Sequence, residues 1–463
     1  MLKKFILAFS LATFSAGIVF AKGINKVPEN LSDAEKLNGL SLYWKEVSYN
    51  FAFFDQVPEL DFDTKYQEFI PRVLATQNTY EYYRELKRLN AFLQDGHTNI
   101  YYPKGMSSSY VDWPAIRLAE AGRKAVITGV EKGLESHIPP GSIIVAINGQ
   151  PIEAHLKEQV MPYIASSTQH ILWNTAVRDA LDGKPGSMAQ LTIETPDGAT
   201  KSIEVKRDAR GRKIEYASIK QPASNGELFE FKWLENDIGY VALNGFHDEA
   251  IVAQFKSHYD EITKSKGLII DLRFNGGGNS AYAGEIISYL TDRDLPGSVW
   301  KTPKHVAAYK AWGSFADQFE DLEEYRPYAE GASWEFSEDS GDIVEPKLDS
   351  NHIVPTYVLI GRNTASAAED FLVYADSLEH FTTVGEPTYG STGQPMIVDL
   401  PGGGTFRVCT KRDTYPDGRE FVGYGIQPDI LVERTLDIVR SGEDRVLDRA
   451  FIDLKSTITS SAL

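Results

Sequence analysis

Cysteine is nearly absent from this sequence. Cys409 is the single cysteine among 463 residues, so the chain cannot form an internal disulfide bond. No set of cysteines and histidines has the spacing of a zinc site, and we expect the protein to need neither a metal nor another cofactor. There is also no low-complexity run and no repeat of solenoid period. The fold must therefore be stabilised by packed apolar cores.

Basic residues are too few to balance the acidic ones. The chain has 47 lysines and arginines against 65 aspartates and glutamates, which gives a formal charge of −18. A surface of this sign repels the phosphates of nucleic acid. We therefore exclude nucleic acid as a partner.

Long apolar runs are missing after the N-terminus. The run Phe5–Phe20 follows the basic pair Lys3-Lys4 and ends at Ala21, an order typical of a secretory signal peptide. It is shorter than the ~20 apolar residues that a membrane span needs. We predict a signal peptide over residues 1–21, cleavage after Ala21, and export to the periplasm or the cell exterior. The mature chain would have no membrane span.

The length and the local patterns predict several domains. A chain of 463 residues exceeds the roughly 250 to 300 residues that one core serves. Apolar residues at three- and four-residue steps predict a helical N-terminal domain over 24–105, and short strands predict a β domain over 110–208. Residues 212–463 alternate buried strands with helices, which indicates an α/β domain. The aromatic, acidic segment 302–350 is aperiodic and predicts an irregular insertion.

One run in the β domain resembles a known recognition module. Pro140–Ile152 is similar to the Pro-Gly-Asp-x-Ile-x-x-Ile-Asn-Gly segment of bacterial PDZ domains, with Ser142 where aspartate is usual. PDZ domains bind an extended peptide end by adding it to a sheet edge. The resemblance implies a PDZ-like domain that recognises a substrate by its C-terminus. The alternative is an ordinary structural β domain.

Ser366 is the candidate nucleophile. The buried strand Tyr357–Ile360 leads through small residues into a helix, and Ser366 falls at the helix N-terminus. Free backbone N–H groups and the positive end of the helix dipole lie there and can hold an oxyanion. From position alone, an ordinary N-cap is the better explanation of Ser366, because serine caps are common.

A resemblance favours the catalytic interpretation. Thr364–Glu369 is similar to the nucleophile segment of the carboxy-terminal processing, or tail-specific, serine proteases, and it matches their nucleophile to Ser366. Further landmarks of that family follow the same order along the chain: Asp271–Gly278, Val384–Gly390 and Gly425–Asp429. The resemblance implies a crotonase/ClpP-like βαβ core with an N-terminal helical domain and an inserted PDZ-like domain.

The same resemblance implies the oxyanion donors. Gly276 and Gly277 follow a strand and precede a helix, where glycine lets backbone N–H groups approach a substrate carbonyl. One of them and Ala367, the residue after the nucleophile, are the implied donors. A phosphate-binding loop is the alternative, but the lysine and the glycine spacing of such loops are missing.

The general base is expected to be His97. Many family members use a lysine after the Gly-Glu-Pro-Thr-aromatic-Gly run, but Ser391 occupies that position here. A second branch, which includes the tricorn core protease, uses a histidine, and Leu93–Thr98 resembles its histidine segment. A histidine titrates near neutral pH and can transfer the proton. We therefore identify the chain as resembling the non-lysine branch.

The group that orients His97 stays open. Tricorn-like enzymes use a serine just before the histidine and a late glutamate, whereas this sequence has Gly96 and Val422 at those positions. Glu420, Asp95 and Ser391 are three substitutes among which the sequence does not choose.

These features predict an exported serine endopeptidase that acts on proteins or peptides. Two other classes share the core. One is a non-catalytic binder, since relatives of this fold bind retinoids, and the other is an acyl-CoA enzyme, which the negative charge and the export signal disfavour. The sequence does not predict the oligomeric state.

Overall fold

The computed structural model describes residues 27–337 and 341–461. The predicted signal peptide lies outside the described residues. None of the helices in the described part of the chain combines the length and apolarity that a bilayer crossing requires.

The N-terminal region is helical, as the apolar spacing predicts. Ser32 begins the first helix with a capping box, in which its hydroxyl and Glu35 satisfy each other's backbone N–H groups. A short strand and a short helix end the region. The elements are α1 (Asp33–Asn50), α2 (Phe62–Leu74), α3 (Thr79–Ala91), β1 (Asn99–Tyr101) and α4 (Ser107–Tyr110).

The next region is an antiparallel β unit with its own apolar core. Its strand order is β2-β3-β4-β6-β7, with β5 paired to β4 and β8 to β3, and helix α6 packs on β2. Its elements are β2 (Ile116–Ala121), β3 (Lys124–Glu131), β4 (Ile143–Ile147), β5 (Gln150–Pro151), α5 (Ile152–His155), α6 (Gln169–Arg178), β6 (Met188–Glu194), β7 (Thr200–Lys206) and β8 (Tyr216–Ser218).

The remaining chain forms the α/β region, and the prediction of an α/β fold is confirmed. The described elements are β9 (Phe229–Leu234), β10 (Ile238–Leu243), α7 (Ala250–Ile262), β11 (Gly267–Asp271), α8 (Ser280–Ile287), β12 (Leu295–Pro296), β13 (Val299–Pro303), α9 (Ala307–Gly313), α10 (Arg326–Ala329), β14 (Trp334–Phe336), β15 (Ile343–Val344), β16 (Thr356–Ile360), α11 (Ala367–Ala375), β17 (Phe381–Gly385), β18 (Pro395–Asp399), β19 (Thr405–Cys409), β20 (Arg412–Thr414), β21 (Ile430–Leu431), α12 (Leu436–Ser441) and α13 (Arg445–Ser461).

The central sheet has the order β21-β17-β16-β11-β10-β9. All its neighbours pair in parallel except β9, which is an antiparallel edge strand. The three central strands β16, β11 and β10 are buried on both faces and are mostly apolar. Along β10, Tyr240 faces the cluster under α13 and Val241 faces the main core, as the two-residue period of a strand requires.

The N-terminal helices share their core with the α/β region. One apolar cluster contains side chains from residues 31–100 and from 229–426. Tyr43 packs edge-on against Phe406, with 5.2 Å between the ring centroids. Tyr83 donates its hydroxyl to Pro401 O at 2.8 Å and accepts from Gly404 N at 2.8 Å. The N-terminal helices and the α/β region are therefore stabilised together.

The segment 302–350 is more regular than its sequence predicts. It contains the helices α9 and α10 and the strand β14, which pairs with β13. Aromatic side chains hold these short elements together, since Tyr309 lies 5.1 Å from both Tyr325 and Tyr328 between ring centroids. Aromatic packing of this kind leaves no helical or strand period in the sequence.

The shared core predicts a large effect of truncating Phe406. Its ring is fully buried, so Phe406→Ala should lower the free energy of unfolding by about 3–5 kcal/mol through lost burial and a residual cavity. Ile397→Ala on the adjacent strand is the control, because 70% of Ile397 is exposed and the change should stay within about 0.5 kcal/mol. Urea denaturation monitored by tryptophan fluorescence measures both. Equal effects would contradict a shared core at this position.

Candidate active site

The loops after two neighbouring parallel strands form the floor of the site. β11 ends at Asp271 and β16 at Ile360, and the two strands pair in parallel. The carboxyl ends of parallel strands lie at one edge of a sheet. Ala365 N donates to Asn275 O at 3.1 Å and ties the two loops together.

Ser366 occupies the sharp turn between β16 and α11. Its backbone angles are φ 55° and ψ −125°, a region that residues other than glycine seldom adopt. Such strain persists where the surrounding structure holds it, and strained strand-to-helix turns expose the nucleophile of many hydrolases. Space below the turn is limited, since a Cβ atom at Gly277 would lie 2.6 Å from Ser366 Cβ. We call residues 364–367 the serine turn.

The Glu369 carboxylate holds the serine turn from inside. It is fully buried and accepts hydrogen bonds from Ser366 N (3.0 Å), Gly390 N (2.8 Å), Ser391 N (3.2 Å) and the Thr388 hydroxyl. Burial raises the pKa of Glu369 to about 8, while these donors oppose the shift by stabilising the charge. One side chain thus joins the serine turn to the loop 388–391.

A small antiparallel sheet brings His97 to the site. β1 and β18 both pair with β19 in antiparallel fashion, so they run parallel to each other and begin at the same edge. His97 lies two residues before β1, and Ser391 lies four residues before β18. The sheet therefore joins two residues that are 294 positions apart.

His97, Ser391 and Asp95 form a hydrogen-bonded chain. His97 Nδ1 lies 2.6 Å from Ser391 Oγ, which donates to Asp95 Oδ1 at 3.4 Å. In the tautomer with the proton on Nδ1, His97 donates to Ser391 and its Nε2 keeps a free lone pair. Burial is the main cause that lowers the pKa of His97 to about 4, and the charge of Asp95 opposes it. The imidazole is therefore neutral at pH 7 and can accept a proton.

Asp95 is the buried end of this chain. Its carboxylate also accepts from the hydroxyls of Thr98 (2.6 Å) and Ser167 (3.2 Å). Gly96 leaves room beside it, because a Cβ atom there would lie 3.1 Å from Ser391 Oγ. Gly96, the residue before His97, has no hydroxyl. Ser391 provides the hydroxyl that bonds to the imidazole.

Glu420, the third group left open by the sequence, lies elsewhere. Its carboxylate contacts Arg412, which also contacts Asp55. Among residues 27–337 and 341–461, no hydrogen bond joins Glu420 to His97. Glu420 is therefore left out of the proposed set.

Two backbone N–H groups are available beside Ser366. Ala367 is the first residue of α11, where N–H groups have no acceptor within the helix. Gly276 lines the cleft next to Ser366. Both therefore suit the predicted role of oxyanion donor.

Gly277 requires a correction. Its N–H donates to Asn275 Oδ1 at 2.9 Å and is not free for an oxyanion. Glycine is needed at 277 for two other reasons, namely a φ of 94° and the close approach to the serine turn. Its contribution is to let the turn pack closely, not to donate a hydrogen bond to an oxyanion.

Two cavities meet at Ser366. The first, of about 500 Å³, is lined by both Ser366 and His97. The second, of about 880 Å³, is lined by Ser366, Asp370 and Lys411 but not by His97. Ser366 and His97 thus face one cleft, although no hydrogen bond joins their side chains within the described ranges.

Lys411 is a second basic group beside Ser366. Burial lowers the pKa of Lys411, but Asp413, whose Oδ1 lies 2.8 Å from Nζ, outweighs this and the pKa is raised overall. The ammonium therefore stays charged at neutral pH. It therefore cannot accept a proton from Ser366 at neutral pH.

Sequence reasoning missed Glu369, Ser167 and Lys411. The spacing of Ser366 and Glu369 matches a capping box, and that signal could have indicated a contact between them. Ser167 and Lys411 lie outside any recognisable motif. Only the tertiary fold brings them to the site.

The central part of the chain matches a known family. Residues 237–432 match the sequence model of Peptidase family S41. The carboxy-terminal processing protease CtpA of Bacillus subtilis is 22% identical over 331 residues, which are 70% of this chain and 60% of that protein. The carboxy-terminal-processing protease of Bartonella bacilliformis is 27% identical over 281 residues, 59% of this chain and 53% of that protein. The chain spans between half and two thirds of the length of these curated relatives.

The crystal structure of mature CPAF has a similar fold. It superposes with a TM-score of 0.71 at 15% sequence identity and covers 93% of this chain and 99% of that chain. At this identity the likeness shows the fold alone.

The strain at Ser366 predicts different stabilities for two inactive variants. Ser366→Gly should be more stable than Ser366→Ala by about 1 kcal/mol, because glycine tolerates a positive φ that strains alanine. Both variants lack the hydroxyl, so they differ only in backbone preference and one methyl group. Urea denaturation compares them. A less stable glycine variant would contradict the strained turn.

The buried carboxylate predicts a pH-dependent stability. In the folded protein Glu369 keeps its proton up to a pKa of about 8, whereas the unfolded chain releases it near 4.5. Its contribution to stability should therefore fall as pH rises from 4.5 to 8, by up to about 1.4 kcal/mol per pH unit. Because other groups titrate in this range, the readout is the difference in unfolding free energy between wild type and Glu369→Gln. A difference that is independent of pH would refute the assignment.

Proposed function

We propose that the protein is a serine endopeptidase of peptidase family S41, whose sequence model residues 237–432 match, with Ser366 as nucleophile and His97 as general base. The observation that carries this proposal is the strained turn of Ser366 at the rim of the cleft that a neutral His97 lines. The names of the relatives, carboxy-terminal processing proteases, support a protein or peptide substrate.

The proposed reaction is acyl transfer to serine. Ser366 Oγ attacks the scissile carbonyl carbon while its proton moves to His97 Nε2. The N–H groups of Ala367 and Gly276 stabilise the oxyanion. The C–N bond then breaks as His97 returns the proton to the leaving amine. Water, deprotonated by His97, hydrolyses the ester and restores Ser366, so these steps use no cofactor.

Ser391 and Asp95 orient the base in this proposal. A serine hydroxyl between the imidazole and a buried carboxylate holds the ring in the tautomer that leaves Nε2 free. It also stabilises the imidazolium that forms after proton transfer. Glu369 supports both partners, because it bonds to the backbone of Ser366 and of Ser391.

The finer predictions remain part of this proposal. They are a helical domain over 24–105, a PDZ-like domain over 110–208 that binds a substrate C-terminus, a crotonase/ClpP-like core over 212–463, and export after cleavage near Ala21. Two contacts support a link between the β unit and the site: His170 Nε2 lies 2.8 Å from Thr388 O, and the Thr168 hydroxyl donates to Tyr389 O at 3.3 Å.

Hydrolysis of unfolded casein tests the function. Ser366→Ala and His97→Ala should each lower kcat/KM by about 10⁴-fold or more, because each removes a group that acts in the transition state. Circular dichroism checks their folding. Loss in Ser366→Ala alone would mean that another base serves the serine. An inert wild type that a fluorophosphonate also fails to label would favour the non-catalytic binder.

The proposed role of Ser391 predicts an effect on kcat. Ser391→Ala should lower kcat by about 10- to 100-fold with little change in KM, since it breaks the bond that orients His97. Ser167→Ala is the matched control, because that hydroxyl bonds to Asp95 but not to His97. Its loss of kcat should be at least fivefold smaller. Equal losses, or a loss confined to KM, would remove Ser391 from the set.

A further inference from the structure

The cavity beside Ser366 that His97 does not line has an unusual charge pattern. We call it the acidic trough; it has a volume of about 880 Å³ and is lined by Ser366, Asp370, Tyr374, Asp342, Glu345 and Lys411 among others. Because the nucleophile lies on its rim, any peptide bound for cleavage must place a residue at or in it. The side chains of the trough therefore contact the substrate.

The position of His97 decides which substrate residue this is. In serine catalysis the histidine gives its proton to the leaving amine, so the leaving segment must lie on the side of His97. That side is the smaller cavity. The acyl segment, which stays on Ser366 as the ester, then lies over the acidic trough. The residue that contributes the scissile carbonyl is the one nearest to it.

Asp370 is the deepest carboxylate of the trough. It lies one helical turn after Ser366 on α11 and therefore on the same helix face. It accepts hydrogen bonds from the hydroxyls of Ser280 and Ser298, the latter at 3.1 Å. Two neutral donors do not balance its charge, and no lysine, arginine or histidine forms an ion pair with it among the described residues.

Lys411 lines the same trough as Asp370, but its ammonium pairs with another carboxylate. Lys411 Nζ lies 2.8 Å from Asp413 Oδ1, and Asp413 is only 2% exposed. The second oxygen of Asp413, Oδ2, is buried and has no hydrogen-bond partner in the described part of the chain. The ammonium of Lys411 is therefore paired with Asp413, and Asp370, whose pKa is raised by burial, forms no ion pair in the described part of the chain. Such an arrangement is costly unless a further cation or donor approaches.

The rim of the trough adds charge of the same sign. Asp342 and Glu345 are exposed and form no ion pair within the described ranges. Lys347 contributes little opposing charge, because it pairs with Glu285 at 2.9 Å. The field in the trough is therefore negative from its floor to its edge.

We propose that the acidic trough selects a lysine or arginine side chain on the substrate residue whose carbonyl Ser366 attacks. This inference rests on the proposed function. The cation would pair with Asp370, which lines the trough, through charge-assisted hydrogen bonds. A glutamate at that substrate position would meet like charge, and a neutral side chain would leave Asp370 uncompensated.

A matched set of quenched fluorescent peptides tests the selection in wild type. The peptides differ only at the residue before the scissile bond, which is arginine, citrulline, lysine, norleucine or glutamate. We expect kcat/KM to be at least tenfold higher for arginine over citrulline and for lysine over norleucine, with glutamate the poorest. Ratios near one, or a preference for glutamate, would overturn the inference while leaving the peptidase proposal intact.

Two variants assign the preference to the trough. Asp370→Asn keeps the shape and should bring the arginine-to-citrulline ratio to less than threefold. Glu379→Gln removes the same charge from an exposed position after α11 and should keep the wild-type ratio. If Asp370→Asn does not fold, Asp342→Asn at the exposed rim should still lower the ratio about twofold. An unchanged arginine-to-citrulline ratio in folded Asp370→Asn, or in Asp342→Asn where Asp370→Asn does not fold, would overturn the role of the trough.

A binding measurement separates this inference from the proposed function. The Ser366→Ala variant is titrated calorimetrically with product-like peptides that end in arginine or citrulline. At least tenfold tighter binding of the arginine peptide supports the trough even if wild type hydrolyses nothing. Equal affinities together with equal cleavage rates would refute the selection of a cationic residue and would leave the proposed peptidase function intact.

Discussion

The buried carboxylate of Glu369 is the interaction on which the site depends. It collects the N–H groups of Ser366, Gly390 and Ser391 and the hydroxyl of Thr388 in a place where water does not reach. A buried carboxyl group without hydrogen-bond partners would be costly there, so the two loops must stay closed around it. Because one loop contains Ser366, the proposed nucleophile, and the other contains Ser391, the hydrogen-bond partner of His97, their relative position is set by this group.

The base reaches the cleft by a different route. His97 comes from the helical N-terminal region, which lies far from the α/β core in sequence but shares its apolar cluster. Strand β1 adds to β19 and β18, and Thr98 accepts a hydrogen bond from Cys409 N at 3.0 Å. The position of His97 therefore depends on packing between the N-terminal region and the α/β region.

Electrostatics divides the two cavities at Ser366 into different environments. On one side, burial keeps His97 neutral and able to accept a proton. On the other, Asp413 keeps Lys411 charged and Asp370 remains without an ion pair in the described chain. The same strained turn thus separates a side suited to proton transfer from a side suited to holding a cation.

Much of the fold could be predicted from local patterns. Strand β16 contains the apolar run Tyr357–Ile360 that predicts a buried strand, and α11 begins directly after Ser366, as expected. Ser366 and His97 could be named because their segments resemble known motifs. The short helices and strand within 302–350 were not predicted, because aromatic packing between short elements leaves no period in the sequence.

The sequence by itself determined the α/β architecture, the candidate nucleophile and the absence of a lysine at 391, since these follow from apolar periodicity and short motifs. Only the tertiary structure decided the partner of His97. It chose Ser391 and Asp95 over Glu420, removed Gly277 from the donors, and brought Asp370, Lys411 and Asp413 together. The physical reason is that a strand order and a buried hydrogen bond join residues hundreds of positions apart, and such contacts leave no trace in local sequence.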